Sequence, residues 1–565
     1  LAFFMACFLF VVMVNAQVTT GTIFGNVVSD DGKSLSGASV EAVHVPSGTR
    51  YKTATGTDGR FTLPALRVGG PYTVTISYVG FAPQEATDII VQLGEPTRVD
   101  MVLIPATANL QEVVVTSTRG RSLISKDRKG TATNINRRML ASVPTLSRSI
   151  TDFTRFTPQA NATSFAGQDP RFINLTIDGS IFNNSFGLQP LPGSQTNSTP
   201  ISLDALEEIQ INISPYSLKD AGFTGASINA VTRSGTNTFH GSAFYNNRNE
   251  GLVGRKAGQD GKQNVVTNSF DVKQFGASVG GPIIKNKLFF FANYEGERRS
   301  DPGTNFVAST GSNSGGNVTR VLASDLDQLS TFLRQNFNYE TGAYENYSLL
   351  TKSDKGLLKF DWNISDKHKL VLRGNILKSS RDVPMSSSGS FGGRNNLFAL
   401  NYENSNYVIN NDIYSGILQL NSRFSNKINN ELTFGYTANR DYRAEKAISF
   451  PTVDILDGND RNYITFGSEP FTPNNILNTD TWQFSDNLSF YLGKHTLSVG
   501  FNYESFRFFN QFTANVNGQY VFNTLDDFYQ VANAYLANPN MTENPVPLRR
   551  YLLSYSNLPG GSLWN

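Results

Sequence analysis

Cysteine and histidine are scarce in this 565-residue sequence, which holds 1 Cys and 4 His. Cys7 lies inside an apolar run near the start. Disulfides, cysteine nucleophiles and cysteine-bound metals are therefore excluded from the rest of the chain. His44, His240, His368 and His495 are scattered beside turns and strand starts, and none stands in a recognised nucleophile or metal-ligand setting. Charge imbalance is missing as well: 48 Lys+Arg against 46 Asp+Glu leave +2, which makes no electrostatic case for nucleic acid. The adjacent pair Glu207-Glu208 sits in the segment read most readily as a helix, Leu203 to Ile209 with Ser202 as N-cap. Neighbouring helix positions point about 100° apart and do not face one substrate, so no acid/base pair is assigned. Asp30-Asp31 matches no calcium loop and reads as a turn. No catalytic, cofactor-binding or metal-ligating residue is expected.

Long apolar runs are confined to Leu1–Val14, which falls short of the roughly 20 residues of a spanning helix. Val14 and Ala16 supply a small-residue cleavage pattern, so residues 1–16 read as a secretory signal peptide. The chain begins at Leu1 with no basic residues ahead of that run, and an incomplete start is expected.

What is abundant is glycine and aromatics, with 48 Gly, 41 Phe and 22 Tyr. That mixture favours sheet. From Thr19 to about Ile104 short strands alternate with turns: Ile23–Val28, Ala38–Val45, Tyr51–Ala54, Phe61–Leu63, Tyr72–Val79 and Val99–Leu103. Their spacing reads as a small antiparallel sandwich. Leu110, Gln111, Glu112, Val113, Val114, Val115 and Thr116 form a β-branched strand followed by polar STRGRS. Such a strand either pairs with a partner's sheet or ends the preceding sandwich. Residues 121–237 mix short segments as in a compact α+β domain, with Phe172–Ile177 running into an Asp178-Gly179 turn.

From Phe239 onward the pattern changes. Phe270–Glu297 reads as two strands joined by a turn at 281–287, with Gly281-Pro282 interrupting the first. Leu358, Phe360, Trp362 and Ile364 alternate with Lys359, Asp361 and Asn363, and Leu497, Val499, Phe501 and Tyr503 oppose Ser498, Gly500, Asn502 and Glu504. Short turns at 281–287, 365–368 and 425–429 alternate with long polar excursions at 298–352, 379–405 and 440–481. Outer-membrane barrels show this asymmetry, with the long side extracellular, one strand face toward lipid and the other toward the lumen. About nine to eleven strands are expected between Phe239 and Asn565.

Several of these stretches resemble known families. GTIFGNVVSDDGKSLSGASVEAV and TATGTDGRFTLPALRVGGPYTVTISYVGF are similar to the carboxypeptidase-regulatory-like domain, a transthyretin-like sandwich (19–104). Leu110–Thr116, within a 105–120 linker, resembles the TonB box, which implies pairing with a TonB-type energy-transducing protein. INLTIDGS, LDALEEIQI and GFTGASINAVTRSGTNTFHGSAF resemble the plug domain (121–237) of TonB-dependent receptors, and GGPIIKNKLFFFANYEG and YESFRFFN resemble their Oar-like branch, known from Bacteroidetes. Asn174-Leu175-Thr176 departs from the glycan-importing branch. The resemblance implies a mainly β fold: sandwich, α+β plug, and in 238–565 the first part of a 22-stranded antiparallel transmembrane β-barrel, in a native chain close to twice this length. It implies an outer-membrane location with a periplasmic N-terminal domain, and import of an unidentified extracellular ligand (oligosaccharide, peptide or metal chelate). The implied partners are outer-membrane lipid and a surface lipoprotein beside the TonB-type protein. The competing expectations are a structural, adhesion or export-related surface protein, and a secreted soluble binding protein.

Overall fold

The computed structural model of the protein describes residues 19–106, 115–116, 132–161, 163–213, 224–257, 261, 263–264 and 269–557. The signal-peptide reading, and Leu110–Val114 of the coupling segment, lie outside them.

The first unit is a two-sheet sandwich. One sheet runs in the order Thr49–Ala54, Ser39–His44, Gly69–Ser77, Gln84–Val91 and Val115–Thr116; the other places Gly21–Ser29 between Arg60–Leu66 and Thr97–Arg98, with Met101–Leu103 also on Gly21–Ser29. Alternate residues such as Ile23, Val27, Val40, Tyr72, Val74 and Ile76 fill the space between. Each such side chain stabilises the fold by about 1.5–3 kcal/mol relative to exposure. The strand Gln84–Val91 was not expected from the sequence. Asp88 takes a left-handed φ of 57° there, and the alternation slips phase at that residue.

The middle unit is a five-stranded sheet in the order Ala132–Asn136, Leu206–Asn212, Ser227–Thr232, Asn174–Ile177 and Ser180–Ile181. A short helix, Arg137–Ser142, is capped by the Asn136 side chain. The expected helix at Leu203–Ile209 is corrected. Ser202 does cap, but only the 3-10 turn Leu203–Ala205, and a strand begins at Leu206. The strand wins because Leu206–Asn212 hydrogen-bonds on both sides, to Ala132–Asn136 and Ser227–Thr232. A register shift between Leu206 and Glu208 turns both Glu207 and Glu208 away from the core residues Leu206, Ile209 and Ile211 and toward the sandwich.

The third unit is a curved wall of nine strands, each antiparallel to the next in sequence: His240–Asn249, Asp271–Ile284, Leu288–Pro302, Ser348–Asn363, His368–Val383, Tyr407–Ser425, Ile428–Glu445, Ile476–Leu492 and His495–Gln511. One face exposes Leu358, Trp362, Leu372, Ile376, Phe434, Trp482, Leu497, Val499 and Phe501, the apolar band that lipid requires. The other buries polar groups such as Lys355, Lys359, Arg373, Asn375, Ser415 and Gln483 against the middle unit. Four apolar wall residues, Phe291, Leu357, Leu377 and Ile413, join the middle unit's core.

Two expectations about connections change. Gly281-Pro282 does not end a strand. Pairing continues to Ile284 across a register shift between Pro282 and Ile284, and the turn is 285–287. The long connections are not polar excursions either. They fold into a cap with its own core of Val321, Leu326, Leu329, Leu333, Tyr339, Tyr402, Ile455, Phe466, Phe522 and Phe528. Its sheet orders Leu400–Asn401, Asn462–Phe466, Thr452–Leu456, Gln519–Phe522 and Arg550–Leu552, beside helices Ala323–Phe337 and Leu525–Ala537. The first helix buries Leu326, Leu329 and Leu333 on one stripe, and the second is capped by Thr524.

Candidate functional site

The Asp178-Gly179 turn joins the middle unit to the wall. Asp178 and Gly179 take φ of 47° and 77°, giving a tight reversal between Asn174–Ile177 and Ser180–Ile181. A side chain at Gly179 would meet Thr19 and Gln419 at 3.0 and 3.1 Å, so the position suits glycine on both counts. The turn reaches five consecutive wall strands. Lys359 Nζ lies 3.5 Å from Asp178 Oδ1, and Arg373 Nη1 lies 3.7 Å from Oδ2. Gln419 donates to the Asp178 carbonyl at 2.9 Å and Gln483 to the Gly179 carbonyl at 2.9 Å. Ser180 meets Ser415 and Thr437 at 3.0 and 3.3 Å.

The carboxylate of Asp178 is buried and fully engaged, accepting from the Thr232 backbone at 2.8 Å and from the Thr232 hydroxyl. Burial pushes its pKa up, but Lys359, Arg373 and the Thr232 donors outweigh that, and the group is held below the ordinary carboxylate value. A second cluster centres on Glu295 of the wall, which meets Lys355 at 3.1 Å, the Ser202 hydroxyl at 2.7 Å and Arg148 at 3.5 Å. Arg148 also lies 3.8 Å over the Phe244 ring. These contacts hold the unit in register, yet they are polar. They act beside the apolar contacts of Phe291, Leu357, Leu377 and Ile413 with the same unit.

Below this turn, at the short-turn end, lies a cavity of about 410 Å³ shared by all three units. Glu207 is among its lining residues, and burial raises its carboxyl above the ordinary value against the pull of Arg137, Arg233, Arg67 and Lys359. Glu208 accepts from the Leu93 backbone at 3.1 Å, a structural contact to the sandwich. Among the described residues no group of three or more His, Cys, Asp or Glu is placed to hold a metal ion.

Of the coupling segment, Val115–Thr116 pairs in parallel with Ala86–Thr87 at the edge of the sandwich sheet. That is the last-strand alternative which the sequence left open. The Asp178 cluster was not anticipated as a site. The Asp-Gly turn was legible, but its partners Lys359 and Arg373 are inward members of strands whose outward residues carry the stronger signal.

Residues 231–547 match the family described as the outer membrane beta barrel domain, which is more than half of the chain. The chain belongs to that family. Membership places it in the outer membrane. Residues 22–104 match the carboxypeptidase regulatory-like domain, so the barrel family member carries the sandwich that its sequence resembled. Among curated proteins it is similar to the TonB-dependent transporter Oar of Myxococcus xanthus, 26% identical over 296 residues. That match covers 49% of this chain and 27% of the relative. Solved structures similar to it include the outer membrane transporter YddB of Escherichia coli, at 14% identity and a TM-score of 0.47, covering 69% of this chain and 50% of that one. The siderophore receptor PirA of Acinetobacter baumannii matches at 16% identity and a TM-score of 0.43, covering 67% and 48%. The matches thus span about a quarter of the curated relative and about half of each solved chain.

Proposed function

We propose that this barrel family member is a TonB-dependent outer-membrane transporter, in which the middle unit is the plug and the coupling segment Leu110–Thr116 receives the pull of a TonB-type protein. The observation that carries this reading is the Asp178-Gly179 turn seated across five wall strands. It holds the unit against the lumen face through groups that water can replace. Plug movement would break the Asp178 cluster, open the lumen, and let a ligand captured at the cap side pass inward. The wall's further strands, closing it into a cylinder, and the periplasmic placement of the sandwich belong to the same proposal, as does a surface lipoprotein partner. The ligand class stays as wide as oligosaccharide, peptide or metal chelate.

The test deletes residues 110–116 from the full-length protein in its native membrane. Pools of radiolabelled oligosaccharides, peptides and iron chelates are offered, with surface binding and uptake measured separately. Uptake is expected to vanish while binding persists. Uptake that continues undiminished overturns the mechanism. A second reading, a surface-structural or export-related role, draws on one observation, the folded cap with its own aromatic core over the long-loop end. It predicts that removing the cap helix Leu525–Ala537 disturbs cell-surface organisation while the 110–116 deletion does not.

A further inference from the structure

We propose that the sandwich is a second barrier in series with the plug, a floor docked across the short-turn rim that has to release before the lumen opens inward. This deepens the uptake reading and takes its physiological meaning from it, but the geometry stands independently. The sandwich touches the wall around the rim. Asn363 donates to the Thr49 hydroxyl at 3.0 Å, Lys369 lies 4.0 Å over the Tyr51 ring, and Thr20 donates to Glu431 at 3.1 Å. Near the turn at 285–287, the Asn237 backbone donates to the Pro46 carbonyl at 2.9 Å, and its side chain donates to Asn286 at 2.7 Å. The cavity of about 410 Å³ lies between, with Tyr51 and Arg67 of the sandwich on one side and Asp178 and Lys359 on the other. A plug that merely shifted would open onto this floor.

The fastening is of a releasable kind. Its centre is Arg67, whose guanidinium meets Asp361 of the wall at 3.1 Å and the Gly235 carbonyl at 3.2 Å, with side chains only 18% and 15% exposed in the ion pair. The apolar share is small, a cluster of Val68, Leu93 and Val231. Polar interfaces of this kind separate far more readily than apolar seams. The floor is also tied to the plug. Leu93 gives its N–H to Glu208, and its carbonyl accepts from Gln210 and Asn134 at 2.7 and 3.2 Å. Displacement of the plug sheet therefore pulls on the sandwich at Leu93 and at Val68 beside it.

The test uses the full-length protein purified and reconstituted into planar bilayers, with potassium chloride as the probe. Thr49→Cys and Asn363→Cys are combined, and disulfide formation is mapped by peptide analysis. A docked floor is expected to give the cross-link readily, and Arg67→Glu to slow its formation several-fold, with Asp361→Arg in the same chain restoring it. In urea, which loosens the plug, the oxidised protein is expected to stay several-fold less conductive than the same protein after dithiothreitol. Failure of the cross-link to form shows that the sandwich does not rest on the rim and overturns the proposal. Equal conductance in oxidised and reduced protein, whether high or absent, overturns it too. Neither readout needs an energy-transducing partner or a transported ligand, so loss of the uptake reading leaves this result interpretable.

Discussion

At the long-loop end the chain buries rings against rings. The Phe528 ring centroid lies 5.4 Å from those of both Phe466 and Phe522, and Tyr339 packs at a tilt with its centroid 4.3 Å from that of Phe450. At the short-turn end the sandwich meets the wall through the Arg67–Asp361 ion pair, a looser and exposed Lys52–Asp366 pair, a few amide and hydroxyl contacts, and cations over the Tyr51 and Phe289 rings. Both ends carry a buried Arg–Asp pair, but in different settings. Arg394 and Asp454 of the cap are 0% exposed and joined by two bonds of 2.9 and 2.8 Å, with Thr465 and Gln519 each donating to the same carboxylate at 2.7 Å. Arg67 and Asp361 have one short contact and a neighbouring cavity. The cap is thus built to keep its shape and the floor is built to let go.

The largest effect is expected where that contrast is strongest. Arg394→Ala leaves the buried Asp454 carboxylate without its counter-ion, with only neutral donors such as Thr465 and Gln519 on it, which costs about 3–5 kcal/mol. Limited proteolysis should show early cleavage between the wall strands in the cap, with the wall and sandwich unchanged. Replacing both partners together with apolar residues of similar size should return most of the loss, since no charge is then stranded. Resistance of the single variant to protease would mean that the pair does not support the cap.

A smaller effect is expected in the middle unit. Asp178→Asn keeps the turn and the Thr232 contacts but removes the negative charge facing Lys359 and Arg373, a loss of about 2–3 kcal/mol. Hydrogen exchange of Asn174–Ile177 and Ser180–Ile181 should quicken while exchange of cap helix Ala323–Phe337 stays as it was. Equal exchange in the two regions would erase the distinction between a lodged middle unit and a fixed cap.

The sequence disclosed the wall far better than the cap, and the reason is physical. Leu497, Val499, Phe501 and Tyr503 repeat every second residue because every second residue faces lipid, so the signal is local. The cap core draws Tyr339, Tyr402, Phe466 and Phe528 from four separate connections, one or two rings at a time, and no local period marks them. The strand Gln84–Val91 was hidden by the phase slip at Asp88, and Leu206–Asn212 by helix-forming residues whose pairing on both edges overrides propensity. The rim contacts were illegible for another reason. Thr49, Tyr51 and Arg67 look like ordinary sandwich residues until the turns they touch are in place.

Acidity offers the finest way to separate the two ends. His44 of the sandwich is buried beside Arg67, with Nδ1 2.7 Å from the Ser47 hydroxyl. Burial first, and the Arg67 charge second, push its pKa down from 6.5 to about 3. The folded sandwich therefore binds fewer protons than the unfolded chain between those values, and its stability falls as pH drops through that window, by up to about 1.4 kcal/mol per pH unit. Above pH 6.5 the neutral ring costs nothing, and the full stability is present. The cap responds in a different range. Burial raises the Asp454 carboxyl, but Arg394, Thr465 and Gln519 outweigh it, so the group stays below its ordinary 3.8 and the stability it contributes is lost only under more acidic conditions. Between pH 6 and 4.5, then, hydrogen exchange of the sandwich core should accelerate while that of the cap holds steady, and His44→Gln should flatten the sandwich's response. Parallel acceleration in both units, or an unchanged slope in the variant, would show that the floor loosens for a reason other than this ring.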